Sequence, residues 1–155
     1  MDALTHKCRL YFKLFYDSIL FVNIFDTPGM TYSYFKLVKD SVFKGADCLL
    51  FVYDITYENS FNEIKKSHKS LIEKHNIKDI PIVLCGNHID REYNREIPFE
   101  EAIKFSLENN YFYMESSIYE IESVKNLFET LISLSLRVAY NKIKYQNNEF
   151  NKINN

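Results

Sequence analysis

Two short apolar runs constrain this chain most. Cys48-Leu49-Leu50-Phe51-Val52-Tyr53 and residues 80–85 are continuously apolar rather than alternating. A strand with one wet face alternates apolar and polar residues, so a continuous run predicts a strand buried on both faces. Each run is followed by a segment of helical period. Residues 60–75 place Phe61, Ile64, His68 and Leu71 at helical spacing. Pro98 opens a second helix in which Ala102, Phe105 and Ser106 share a face. Residues 111–114 read as a short strand. Residues 121–143 read as a long amphipathic helix with Val124, Phe128, Leu131 and Val138 on its inner side. Strand alternating with helix is the pattern of an open α/β sheet with parallel strands and helices on both faces. In such sheets ligands bind beyond the carboxyl ends of the strands.

The front of the chain differs. Residues 8–15 alternate, with Cys8, Leu10, Phe12 and Leu14 on one face. Asp17 and Ser18 suit a turn, and residues 19–25 form a second apolar run, so a hairpin is expected. Residues 32–44 read as a weakly patterned helix. Residues 146–155 are polar and Asn-rich, and are expected to form a disordered tail behind one domain over 1–145.

Composition narrows the function classes. The 155 residues fit one domain. A net charge of -2, with no basic stripe, gives no case for nucleic-acid binding. No apolar run reaches the ~18 residues of a membrane span, and residues 1–7 lack the apolar stretch of a signal peptide. Cys8, Cys48 and Cys85 sit in apolar settings, an odd count that reads as reduced core thiols of a cytoplasmic protein. Lys65 and Lys66 read as a solvated helix face.

The residues just after each apolar run are the informative ones. They are Asp26-Thr27-Pro28-Gly29, then Asp54-Ile55-Thr56, then Gly86-Asn87-His88-Ile89-Asp90, then Glu115-Ser116-Ser117-Ile118-Tyr119. An Asn or Asp behind a strand is, taken singly, more often a turn or cap residue than a ligand. Their order and spacing together carry more. The set resembles the Ras superfamily of small GTPases, with Asp-x-x-Gly, Asn-Lys-x-Asp and Ser-Ala-Lys at successive strand ends. Lys44-Gly45-Ala46-Asp47, Val52-Tyr53-Asp54-Ile55-Thr56 and Ser60-Phe61 look like the Rab branch, and the resemblance covers residues 8–134.

That resemblance implies a P-loop NTPase type of fold, GTP or GDP with Mg2+ as ligands, and GTP hydrolysis in vesicle traffic. It implies protein effectors or regulators as partners and a peripheral place on endomembranes. Asp90 matches the carboxylate that accepts both guanine donors, the ring N–H and the exocyclic amine, in a bidentate pair. Adenine lacks that amine, so the same carboxylate rejects it. Asn87 matches the residue that ties the neighbouring loops together. Ser117 matches the residue that orients the aspartate, and Ile118 the one whose N–H meets the guanine oxygen. Asp26 matches the acid that holds Mg2+ through water, and Gly29 the glycine whose N–H meets the γ-phosphate.

The departures from the pattern are as informative. The phosphate loop Gly-x-x-x-x-Gly-Lys-[Ser/Thr] is absent, because the only glycines are Gly29, Gly45 and Gly86 and no two stand five apart. The chain begins near the family's second strand, so the first strand and first helix are expected to be missing. Thr5 aligns too loosely with the switch threonine to carry a role. Met30 stands where a water-positioning glutamine would, His88 replaces the motif lysine, and Tyr119 replaces the lysine of Ser-Ala-Lys. No cysteine follows Cys85, so no prenylation site and no autonomous membrane anchor are expected. Two readings stay open: a truncated or degenerate Rab-like GTPase unable to bind or hydrolyse GTP normally, and a pseudo-GTPase serving as an interaction module without nucleotide. Both expect the loops carrying Asn87, Asp90, Ser117 and Ile118 to lie side by side. Without the first strand, the sheet is expected to keep a gap of ~10 Å, about twice the strand spacing, between residues 19–25 and 48–53.

Overall fold

A computed structural model describes residues 6–13, 19–27, 43, 45–77 and 79–153. Those residues hold five strands and three α-helices: β1 (His6–Lys13), β2 (Ile19–Asp26), β3 (Leu49–Asp54), α1 (Glu58–His75), β4 (Ile82–Asn87), α2 (Phe99–Asn109), β5 (Phe112–Ser116) and α3 (Ile121–Ile153). A 3-10 segment, Ile89–Asn94, follows β4. The pattern of apolar residues did not announce it.

β1 and β2 form the expected antiparallel hairpin, in register from His6 opposite Asp26 to Lys13 opposite Ile19. β3, β4 and β5 form a parallel sheet in that order. Among the described residues no ladder joins β2 to β3, and β3 is the edge of its three-stranded sheet. The helix expected over 32–44 lies almost wholly outside the described residues.

The second apolar run is buried on both faces of β4, as its composition gave. On β3, Phe51 and Tyr53 are buried but Val52 is exposed, so the first run is not buried on both faces. On β4, Ile82 and Leu84 join one core with Phe51 and Tyr53 of β3, Phe61, Ile64 and Leu71 of α1, and Ala102 of α2. Val83 and Cys85 point the other way, to a smaller core with Leu127 and, at its margin, Leu131 and Leu134 of α3. Helices α1 and α2 therefore cover one face and α3 the other. Full burial of a side chain such as Phe61 contributes roughly 1.5–3 kcal/mol.

Helix α1 buries Phe61, Ile64, His68 and Leu71, the positions its spacing selected. Glu58 at its start and Lys74 and His75 at its end suit the helix dipole. Both α1 and α2 stop at an asparagine in the left-handed region, Asn76 with φ 51° and Asn110 with φ 58°. Their N–H groups turn back onto the last carbonyls of the helix. A glycine usually holds this place. In a chain with three glycines, asparagine does.

Three expectations need correction. Helix α3 runs to Ile153, so residues 146–153 are helical where a disordered tail was expected, because Asn and Gln lower helix propensity without breaking a helix already nucleated. The residues of α3 that meet the sheet centre on Leu127, Leu131 and Leu134 rather than on Val124, Phe128 and Val138. Lys65 is not a merely solvated residue: its ammonium pairs with Glu101 at 2.8 Å and lies 4.6 Å from the centre of the Phe61 ring. Lys66 pairs with its neighbour Glu63, at 3.3 Å, as an exposed lysine would.

Candidate functional site

The carboxyl ends of β4 and β5 lie side by side because the two strands are parallel neighbours, with Asn87 opposite Ser116. Their following loops carry three of the candidate residues, and Asn87 is the last residue of β4. Asp90 sits at the start of the 3-10 segment, and its carboxylate accepts a short hydrogen bond from the Ser117 hydroxyl. Arg91 Nε lies 3.8 Å from the other carboxylate oxygen. Ser117 is fully buried. Its hydroxyl also accepts the Tyr119 N–H at 3.1 Å, and its own N–H donates to Ser123 Oγ at 3.0 Å. The Ile118 side chain is exposed, and its N–H has no partner among the described residues. Asn87 closes β4, with its carbonyl accepting the Ile55 N–H at 3.1 Å.

The arrangement is a carboxylate held by a buried hydroxyl, with a free backbone donor one residue beyond that hydroxyl. It offers acceptors and a donor to a flat heterocycle with adjacent N–H groups and a neighbouring carbonyl, which is the guanine edge. Asp90 and Ser117 are therefore in contact, with Ile118 the residue after Ser117 and Asn87 opposite Ser116 at the strand ends.

His88 occupies the place of the motif lysine in the left-handed region, φ 73°, a strained conformation for a residue with a side chain. Its Nδ1 is buried without a hydrogen-bond partner, and Nε2 stands 3.8 Å from Asp54 Oδ2, too far for a hydrogen bond. Asp54 is engaged locally: Oδ1 accepts the Thr56 N–H at 2.8 Å and its hydroxyl at 2.7 Å. That is a turn-forming aspartate.

The phosphate and metal side is different. Asp26 is an exposed residue at the end of β2, opposite His6. Among the described residues no three His, Cys, Asp or Glu side chains gather as a metal would require. Gly29 and Met30 lie outside the described residues. Of the expected site residues, Asp90 and Ser117 are thus joined by a hydrogen bond, and Asp26 lies on the hairpin. Sequence reasoning missed Ser123 and Arg95, both of which hold the base-side loops. Their signals were faint, a serine six residues after Ser117 and an Arg three residues after Glu92.

The thiols are structural. Cys85 is fully buried against Ser116 Oγ at 3.1 Å, and burial pushes its thiol pKa up. Burial likewise raises the Cys48 thiol to about 11. No helix among the described residues is long and apolar enough to cross a membrane.

Comparison with known proteins agrees with the geometry. A sequence model described as the Ras family matches residues 6–137. The GTP-binding protein ypt3 of Schizosaccharomyces pombe is 33% identical over 120 residues, 77% of this chain and 55% of that protein. Ras-related protein RGP1 of Oryza sativa subsp. japonica is 33% identical over 133 residues, covering 86% of this chain and 58% of its own length. Ras-related protein RABA1g of Arabidopsis thaliana is 32% identical over 126 residues, 81% of this chain and 57% of its own. The chain spans about half the length of the curated relatives it matches.

Proposed function

This chain belongs to the Ras family of small GTPases, and from that premise we propose that it is a Rab-like protein of vesicle traffic in degenerate form, keeping guanine recognition while binding and hydrolysing GTP poorly. The Asp90–Ser117 hydrogen bond carries the first half of this reading. Asp90 accepts the two adjacent donors of guanine, and Ser117 fixes the carboxylate in the plane of the base. The Ile118 N–H donates to the guanine oxygen. Asn87 ties the end of β4 to the loop after β3 through its carbonyl and the Ile55 N–H. None of these groups touches a phosphate.

The second half rests on departures from the family's motifs. The departures lie inside the matched region: His88 stands in place of the motif lysine and Tyr119 in place of the lysine of Ser-Ala-Lys. A thioether at Met30 cannot orient a water molecule. Its partners on this reading are protein effectors or regulators of a Rab-like GTPase, which also bring it to endomembranes. Titration with a fluorescent guanine nucleotide tests it. Weak binding that favours guanine over adenine and is lost in Asp90→Ala is expected. Magnesium-dependent nanomolar affinity would overturn the degenerate assignment, and indifference between guanine and adenine would overturn guanine recognition.

The alternative, an interaction module without any nucleotide, is favoured by His88 alone, whose orphaned buried Nδ1 and strained backbone do not serve a base.

A further inference from the structure

Beneath the Asp90–Ser117 pair lies a polar chain that base recognition as described does not use. The Arg95 guanidinium has five N–H donors, and five contacts surround it. Nε and Nη2 meet the two oxygens of Glu92 at 2.7 and 2.6 Å. Nη1 and Nη2 meet the two oxygens of Glu115 at 2.9 and 3.0 Å. Nη1 also reaches the Ile97 carbonyl at 3.3 Å. The arginine and Glu115 are largely buried, 13% and 17% exposed, whereas Glu92 is 63% exposed.

The chain continues inward. The Tyr113 hydroxyl donates to Glu115 Oε1 at 2.5 Å and lies 2.9 Å from the Tyr53 hydroxyl. Burial raises the pKa of both tyrosines, Tyr53 to about 12, so both remain neutral donors. Tyr53, Tyr113, Glu115, Arg95 and Glu92 thus link β3, β5 and the 3-10 segment.

The spacing gives this chain its meaning. Glu92 lies two residues after Asp90, and Glu115 lies two residues before Ser117. One planar guanidinium grips both carboxylates in fork geometry, and so sets the distance between the two loops. We propose that Arg95 is a positioning residue for base recognition, a strut that holds the turn bearing Asp90 against the strand end bearing Ser117. It touches no ligand. It acts by keeping the Ser117 hydroxyl on the Asp90 carboxylate before any base arrives. Lysine cannot replace it, since a single ammonium cannot make two forks at once. The proposal rests on the guanine reading for its purpose but not for its geometry.

Amide hydrogen exchange of the ligand-free protein tests the geometry. The reporter is the Tyr119 N–H, bonded to Ser117 Oγ. In Arg95→Lys its exchange is expected to quicken at least about tenfold relative to Val83, Leu84 and Cys85 in the core. Tyr113→Phe, which deletes one hydroxyl and keeps the ring, serves if the lysine variant does not fold, and is expected to move Tyr119 in the same sense. A purely structural role would quicken core and loop amides together, and that result overturns the proposal, as does an unchanged Tyr119. Guanosine and adenosine titrations followed at the Ile118 amide form the second arm. A guanosine response in the parent that fades in Arg95→Lys supports strut and purpose together. No response in the parent, with Tyr119 quickened in the variant, sinks guanine recognition and leaves the strut supported. A guanosine response equal in parent and variant overturns the strut.

Discussion

The Tyr53 hydroxyl stands 2.8 Å from where a Cβ on Gly86 would be, with the same ring's Cζ at 3.1 Å and Ile55 Cγ2 at 3.0 Å. Tyr53 crosses over β4 at this point to reach Tyr113 on β5, and only a residue without a side chain lets it pass. Gly86→Ala is therefore expected to destabilise the fold by about 1–3 kcal/mol, the usual effect of overpacking a core. The ring cannot swing aside, because it is 1% exposed and packs on Phe61 at 4.8 Å. Adding Tyr53→Phe should recover part of the loss by removing the nearest atom, though Cζ and Ile55 remain close. Urea midpoints at constant slope read both effects. An alanine variant as stable as its parent would mean that the crossing is not tight.

Ser117 and Asp90 should respond unequally to substitution. Ser117→Ala removes the donor to Asp90 and the acceptor of the Tyr119 N–H from a fully buried position. Groups left unpaired there are expected to cost about 1–3 kcal/mol. Asp90→Asn leaves an amide oxygen that can still accept the Ser117 hydroxyl, so it should cost less. Chemical denaturation of the two variants compares them. Equal losses would show that the ionised carboxylate, rather than the hydrogen bond, holds the loops.

His68 makes stability depend on pH. It is 3% exposed on α1, its Nδ1 lies 2.8 Å from the Tyr111 hydroxyl, and Phe105 packs edge-on at 5.0 Å. Burial holds its pKa below the ordinary 6.5, with the nearby Lys69 charge adding to the effect. The folded state thus binds a proton less readily than the unfolded chain. The contribution is complete above pH ~6.5 and is lost as pH falls from there toward the lower folded value. Over that window the parent should lose stability faster than His68→Gln, which has no proton to take up. Parallel slopes for the two proteins from pH 7 to 5 would contradict this.

How much was legible beforehand depended on whether a residue's role is set by its own segment. Phe61, Ile64, His68 and Leu71 face the core because a helix repeats every 3.6 residues, and that is written in their spacing. Asp90 and Ser117 could be paired only through a known arrangement of strands, since 27 positions separate them. Arg95 was illegible for a sharper reason. Its two carboxylates come from different segments, and nothing in the run Arg95-Glu96-Ile97 distinguishes a clamp from a surface arginine. The helical stretch to Ile153 was misjudged because polarity was taken for disorder, while an already formed helix extends cheaply through polar residues.

The edge of β3 gives the last prediction. The Leu49 N–H donates to the Pro81 carbonyl at 3.0 Å and the Ile55 N–H to the Asn87 carbonyl at 3.1 Å. Backbone groups along a strand alternate in direction, so residues 49, 51, 53 and 55 all address β4. Leu50 and Val52 address the other side, where no described strand pairs with β3. Asp54 shares their parity, and its N–H is taken by Ser60 Oγ at 3.0 Å. The amides of Leu50 and Val52 are therefore expected to exchange at least about 100-fold faster than those of Phe51 and Tyr53, since only the latter need the sheet to open. An edge of this kind invites pairing with another chain. Val52→Lys, at a residue already 52% exposed, should reduce aggregation while changing stability by no more than about 0.5 kcal/mol. If Leu50 and Val52 are as protected as their neighbours in dilute protein, the edge is covered and β3 is an interior strand. If that protection appears only as concentration rises, copies of the chain are pairing along it.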